Sequence, residues 1–335
     1  MSNDWTARFI ELGREVRAEI VRQRGDRAMA DPVAFEGGDT IYEIDRRVEP
    51  IVVEHARRWA HEAGPVEVVA EGLGPGGTAR FGEGTPAWRV LIDPIDGTRN
   101  IMYDKRSAWF LAAVAPADDA PATLAGVVAS AMVELPASKA GFADELTATA
   151  DGPAVWRRVA LDGSGDRQIE PRPSTADTLA HGWGQVTNFF PGTKILAAEL
   201  MEWIVHETLD PPRPGEALVF DDQYLTTGGQ LVELICGRDR FCCDLRPLLF
   251  ELNRLEQDDE PVAGLTCHPY DMAGLLVAQR AGVIVTDGFG RPLDAPFAVD
   301  HPVHWCGYAY ESLRRSIEPI IRGWLREKGL DVPSL

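Results

Sequence analysis

Apolar positions at the start of the chain follow a helical period. Trp5, Phe9, Leu12, Val16 and Ile20 recur at intervals of three and four residues, which predicts an amphipathic helix over residues 5 to about 23. A second stripe after Asp45, made by Val48, Ile51 or Val52, His55 and Trp59, predicts another helix, with Pro50 tolerable only near its first turn. The pattern then changes. Four β-prone runs, "VEVVA" (66–70), "WRVLI" (88–92), "AWFLAAVA" (108–115) and "LAGVVASAMV" (124–133), are separated by Gly/Pro-rich loops and predict a sheet packed against helices. Breaks in composition at 161–178 and 209–217 read as a subdomain boundary and a surface insertion. Near the end, "DMAGLLVAQRAGVIVTDGFG" predicts a helix stopped at Gly282, a strand over 283–286 and a turn. A last helix, from about 310 to 328, turns Leu313, Ile317, Ile321 and Trp324 inward.

Composition narrows the function. A chain of 335 residues exceeds one small core, so two packed halves or two domains are expected, divided as 1–170 and 171–335. Its formal charge of −19 disfavours nucleic acid and anionic membranes as partners, and an anionic substrate would need a local cation. The five cysteines, Cys236, Cys242, Cys243, Cys267 and Cys306, lack C-x-x-C spacing and read as small buried residues of a reduced compartment. The polar opening "MSNDWTARFIELGREV" does not resemble a signal peptide, and no apolar run approaches the roughly 20 residues of a membrane span. A cytoplasmic protein is the expectation.

Candidate chemistry concentrates in "VLIDPIDGTRN", residues 90–100. An apolar run delivers Asp93, Pro94 removes a backbone donor, and a tight turn brings Asp96 round beside Asp93. Two adjacent carboxylates with the Ile95 carbonyl between them form an oxygen-only donor set, which suits a hard divalent ion such as magnesium. Gly97 and Thr98 then offer backbone N–H groups and a hydroxyl to an anion. Taken alone, the same residues make a reverse turn flanked by solvated aspartates.

The surrounding sequence decides between these readings. The turn "DPIDGTRN", preceded by an isolated acid in "VVAEGLG" and followed by "HPYDMAGLLVAQRAGVIVTDGFGRPL", resembles the inositol monophosphatase family of magnesium-dependent, lithium-sensitive sugar phosphatases. That resemblance implies an α/β layered sandwich, α-β-α-β-α, like inositol monophosphatase and fructose-1,6-bisphosphatase. It implies a phosphomonoesterase hydrolysing a small sugar, polyol or related phosphate by two-metal activation of water, with two or more Mg2+ per site. Relatives are commonly homodimers.

Carried over by residue, Glu71, Asp93, the Ile95 carbonyl, Asp96 and Asp271 would hold metal. The first four lie in the N-terminal half and Asp271 in the C-terminal half. Gly97 and Thr98 would cradle the phosphate, while Glu71, Thr98 and Asp45 would orient the attacking water. The loop "YLTTGGQLVEL", with Thr226 and Thr227, occupies the place of the substrate pocket. Asp271, at the first position of a predicted helix, is expected to have its charged form stabilised by the positive helix end. His268 reads as a packing or hydrogen-bonding residue.

The chain departs from the family at several points. Gly72 stands where a second acid is frequent, and Tyr270 where tryptophan is usual. Gly264 occupies the position of a glutamate that inositol-specific members use for a ring hydroxyl, so inositol itself is not implied. The span from Asp96 to Asp271 is longer than in compact members. Two alternatives stay open within the resemblance, a 3'-phosphoadenosine 5'-phosphate type nucleotide phosphatase and a non-catalytic metal-binding relative. A more distant alternative is an acidic calcium-binding structural protein, which would leave Gly97-Thr98 unexplained.

Overall fold

A computed structural model describes residues 4–24, 32–36, 39–118, 121–209, 215–257 and 265–334. Helix α1 (Trp5–Gln23) buries all five residues of its predicted stripe, and the Asp4 carboxylate caps it by accepting from the Ala7 N–H at 3.1 Å. A hairpin, β1 (Pro32–Glu36) and β2 (Asp39–Tyr42), leads into α2 (Glu43–Ala63). That helix begins ahead of Asp45, which puts Pro50 in its interior and not in its first turn. The proline costs roughly 3 kcal/mol. Val48, Val52 and Trp59 are buried on the same helix and contribute about 1.5–3 kcal/mol each, so the helix continues through it. Val52, not Ile51, lies on the buried face.

Eight strands form the larger sheet: β3 (Val66–Ala70), β4 (Thr78–Phe81), β5 (Trp88–Asp96), β6 (Ala108–Pro116), β7 (Ala129–Leu135), β8 (Phe142–Thr149), β9 (Val155–Ala160) and β10 (Asp166–Ile169). Their order is β10-β9-β8-β7-β6-β5-β3-β4, antiparallel throughout except for the β3–β5 pair. Short helix α3 (Thr98–Met102) follows β5. The predicted run 124–133 divides into a 3-10 turn, Leu124–Gly126, and the start of β7. Strands β8 to β10 escape the hydrophobic pattern because they carry charge. Buried Asp144 and Glu145 of β8 are held by Arg158 and by Arg14 and Arg17. Part of the predicted break at 161–178 is itself strand, β10.

The smaller sheet contains β11 (Gly182–Val186), β12 (Val219–Phe220), β13 (Asp239–Asp244), β14 (Ile284–Asp287) and β15 (Trp305–Tyr308), in the order β12-β11-β13-β15-β14. Helices α4 (Lys194–Thr208), α5 (Thr227–Ile235), α6 (Arg246–Gln257), α7 (Leu275–Arg280) and α8 (Glu311–Glu327) complete the chain. Leu313, Ile317, Ile321 and Trp324 of α8 are buried, as their spacing predicts. Four of the five cysteines are buried and all five are free thiols. No helix among the described residues is long and apolar enough to cross a membrane.

Strand alternation sorts these elements into layers. On β6, Phe110, Ala112 and Val114 pack against α1 and α2, whereas Trp109, Leu111 and Ala113 face α5 and α7. On β13, Cys242 faces that same middle layer, whereas Phe241 and Cys243 join Leu200 of α4, Leu249 of α6 and Ile317 of α8. The result is the expected α-β-α-β-α sandwich. Helices α5 and α7 are held between two sheets, and strand β5 ends beside the start of α5.

Candidate metal centre

The acid turn is a β-bulge. On β5, Asp93 pairs with Leu111 of β6 and Asp96 pairs with Trp109, so three steps along one strand oppose two along the other. Without the extra residue, Asp93 and Asp96 would point to opposite faces of the sheet. With it, both align with Leu111 and Trp109, which share the inner face. Pro94, unable to donate to the ladder, sits within the bulge, and the Ile95 N–H turns back to the Asp93 carboxylate at 2.9 Å.

Gly97 takes the left-handed conformation at φ 91° and ends the strand. A Cβ there would lie 2.8 Å from the Leu225 carbonyl oxygen and 2.9 Å from Thr226 Cβ. Gly97→Ala is therefore expected to destabilise the protein by about 1–3 kcal/mol through strain and overlap. It should also lower activity, since Leu225 and Thr226 adjoin Asp96. A melting curve matching wild type would show that the turn has room this structure does not contain.

Asp96 is fixed by the start of α5. The Thr226 hydroxyl donates to it at 2.6 Å, the Gly228 N–H at 2.5 Å and the Thr227 N–H at 3.2 Å. Asp271 arrives from the C-terminal half and accepts from the His268 N–H at 2.6 Å. It precedes α7, which begins only at Leu275. The expected help from a helix end is therefore missing, and burial instead raises the Asp271 pKa well above the ordinary value, with the Asp96 and Glu71 charges adding to it. Asp93 is raised well above as well, by burial first and then by Asp96, Asp271 and Glu71. For Asp96 burial wins over its three hydrogen bonds and nearby Arg246, giving about 6.

Oxygens of Asp93, Asp96 and Asp271 all come within 4.8 Å of one another, and the first two side chains are buried. Such crowding is costly unless protons or a cation neutralise it. An oxygen-only cluster of this charge fits a hard divalent ion. Glu71, exposed at the end of β3, stands outside that triad but lines the same cavity and reaches Asp93 and Asp271 electrostatically. Ile95 lines it too, and its carbonyl accepts from the Thr98 hydroxyl at 2.9 Å.

The remaining predicted residues divide by position. Thr98 Oγ1 also lies 3.2 Å from the Asp45 carboxylate, whose second oxygen accepts from the Tyr42 N–H at the start of α2. Asp45 and Thr98 thus meet across the α2–α3 junction. Gly97, Thr226 and Thr227 line the cavity, but the Thr226 hydroxyl is occupied twice, donating to Asp96 and accepting from the Gly229 N–H. His268 stacks on Tyr270 with ring centroids 5.3 Å apart. Gly264 lies outside the described residues.

The cavity has a volume of about 650 Å³. Its lining also includes Arg246, Arg254, Phe189, Phe190 and Phe250, none of which is among the candidate site residues read from the sequence. Arg246 is buried and grips the fully buried Asp244, with Nε at 2.9 Å and Nη2 at 2.5 Å from its oxygens. It also donates to the Leu265 carbonyl at 2.9 Å and lies 5.2 Å from the Phe189 ring. Beyond that pair, its charge also acts on Asp96 and Asp271, opposing part of the rise that burial imposes on them. Its one sequence signal is "CCDLRP", an acid and an arginine closing an apolar run.

No protein-family profile matches the chain, and no curated protein matches it in sequence. Solved structures do match. A Pyrococcus horikoshii protein described as having similarities to inositol-1 monophosphatase superposes with a TM-score of 0.62 at 15% identity, over 95% of this chain and 98% of that one. An IMPase from Thermotoga maritima gives 0.59 at 18% identity, over 96% and 97%. Fructose-1,6-bisphosphatase of Leishmania major, in its holo form, gives 0.63 at 12%, over 93% and 91%. Across nearly its whole length the chain has the layered α/β fold of inositol monophosphatase and fructose-1,6-bisphosphatase structures.

Proposed function

We propose that the protein is a metal-dependent phosphomonoesterase acting on a small sugar, polyol or related phosphate. The observation that carries this reading is the bulge in β5, which turns Asp93 and Asp96 to one face against Asp271 and leads directly into Gly97-Thr98. Asp93, Asp96 and Asp271, with Glu71 and the Ile95 carbonyl, would hold divalent ions, for which magnesium suits the donor set. When bound, such ions supply Lewis acidity and a water acidic enough to attack near neutral pH.

The chain's own residues supply the positioning. Gly97 and Thr98 present backbone N–H groups to phosphate oxygens at the edge of the acid cluster. Asp45 holds the Thr98 hydroxyl, whose proton is shared between the Asp45 carboxylate and the Ile95 carbonyl, so that its oxygen is left to orient a water. Buried Arg246 offsets part of the negative field that would repel an incoming phosphate. Because phosphoryl transfer depends mainly on such positioning and charge compensation, no nucleophilic side chain is required.

The test is a panel of sugar, polyol, histidinol and nucleotide monophosphates assayed for released phosphate with magnesium and with chelator. Release from at least one small phosphate, abolished by chelator, is expected. Release from 3'-phosphoadenosine 5'-phosphate alone would move the assignment to a nucleotide phosphatase. No release from any member, with magnesium still bound, would favour a non-catalytic relative.

A further inference from the structure

All three donors to the Asp96 carboxylate come from one turn, residues 226–228. Asp96 is therefore placed only as firmly as that turn is held. Tyr224, two residues before it, is buried and takes no part in lining the carboxylate cavity. Its phenol donates to the Ser107 carbonyl at 2.9 Å and accepts from Trp109 Nε1 at 3.2 Å. Its main-chain carbonyl accepts from the Thr226 N–H at 2.8 Å. The Arg106 guanidinium covers the ring 3.7 Å from its centroid and is itself paired to Asp222 at 2.6 Å.

Trp109 is also the residue that Asp96 faces across the β5–β6 ladder. A closed circuit results, from Asp96 across to Trp109, through the indole to Tyr224, and along the chain to the donors that return to Asp96. Two glycines fit this circuit. A Cβ on Gly228 would lie 3.0 Å from an Asp96 oxygen and 2.7 Å from Leu111 Cδ2, and one on Gly229 would overlap the Tyr224 ring. Burial raises the Tyr224 phenol above its ordinary value, so the hydroxyl keeps its proton and remains a donor. From the other side, buried Asn100 of α3 donates to the Leu225 carbonyl at 2.9 Å. The acid turn and the sheet thus grip the donor turn between them.

We infer that Tyr224 is a positioning residue of the metal centre: by holding residues 226–228 against Asp96, it sets how firmly Asp93, Asp96 and Asp271 bind a divalent ion and how fast an ester is hydrolysed. The part about hydrolysis rests on the hydrolase reading; the part about ion binding rests only on the carboxylate triad. A group that orients a metal ligand from behind changes metal affinity or activity by about 10–100-fold. With Asn100 still holding Leu225, loss of the phenol belongs at the lower end of that range, about tenfold.

The test compares the full chain with Tyr224→Phe, Thr226→Val and the double variant. Phenylalanine keeps the ring against Gly229 and removes only the two hydrogen bonds of the phenol. The probe is Mn2+, a divalent ion suited to carboxylates, whose unbound fraction is read by electron paramagnetic resonance. Its Kd should rise about tenfold in Tyr224→Phe, measured well below the melting transition. Thr226→Val removes a donor to Asp96 directly and should also weaken binding. The double variant should lose much less than the product of the two fold-losses, because both act through one carboxylate. With Mn2+ saturating and a hexitol monophosphate as ester, kcat should fall about tenfold in Tyr224→Phe while KM stays unchanged, since Tyr224 does not line the cavity.

Equal Mn2+ affinity in wild type and Tyr224→Phe, whatever the melting temperatures, overturns the inference, as does no binding by wild type. Fold-losses that multiply in the double variant overturn it too, because Tyr224 would then act on the fold and not on Asp96. An unchanged kcat at saturating Mn2+ overturns the part about hydrolysis. Weakened and coupled Mn2+ binding, with no ester hydrolysed by any of the proteins, supports the positioning role and removes the hydrolase reading instead.

Discussion

Asp93→Asn is expected to lower kcat/KM for any phosphate ester the protein hydrolyses by more than about a hundredfold at saturating magnesium, the upper range for loss of a residue that merely supports a metal ligand. The expectation follows from position. Asp93 is buried at the end of β5 and lies among the carboxylates that raise its own pKa, with Asp96, Asp271 and Glu71 all contributing. It is the member of the triad closest in chain to the turn carrying Gly97 and Thr98, apart from Asp96 itself, which the start of α5 already engages through three donors. Asp93 accepts a single backbone bond, from Ile95, so more of its coordinating capacity faces the cavity.

The same substitution should not unfold the protein. An amide in place of a buried, like-charged carboxylate removes repulsion, so the metal-free variant should melt no lower than metal-free wild type near neutral pH. Lost activity together with a lowered melting temperature would mean that Asp93 acts through the fold. Retained activity would show that Asp93 is no ligand of the reacting phosphate or its metal.

The site is legible in sequence wherever its chemistry is contiguous. Residues 90–100 contain two of the clustered carboxylates, the bulge that aligns them and the Gly97-Thr98 turn, because a β-bulge, a proline and a left-handed glycine are local features with local signatures. Helices α1 and α8 are legible for a similar reason, since each buries one face and keeps the other in water. What is not legible depends on partners far away in the chain. Asp144 and Glu145 look like surface acids until Arg158, Arg14 and Arg17 are brought against them. Asp271 looks like a helix cap, but its helix starts later and burial governs its charge. Arg246 has only the acid and arginine of "CCDLRP" as a local sign, and its place in the cavity wall depends on the fold.

Metal binding and pH should be linked through the acid triad. The folded pKa of Asp96 is about 6, against an ordinary 3.8, so between those values the folded protein holds a proton that the unfolded chain has released. Stability of the metal-free protein therefore falls as pH rises through this window. A tenfold change in proton affinity is worth about 1.36 kcal/mol, and the loss is shared among the interacting carboxylates. Asp93 and Asp271, raised in the same direction, extend the loss to higher pH. A divalent ion requires the ionised carboxylates and so competes with these protons. It should stabilise weakly at about pH 5 and strongly at about pH 7.5, reaching roughly 2.7 kcal/mol at a hundredfold excess over Kd. In a chain of this size that is a rise of only a few degrees in Tm. Melting curves with magnesium, and with potassium at matched ionic strength, separate site binding from general screening of the acidic surface. Asp271→Asn should shrink the magnesium increment at the higher pH, because one oxygen ligand from the C-terminal half is lost. An increment that is the same at both pH values, and the same in Asp271→Asn, would mean that magnesium stabilises the protein elsewhere and that the three carboxylates do not share an ion.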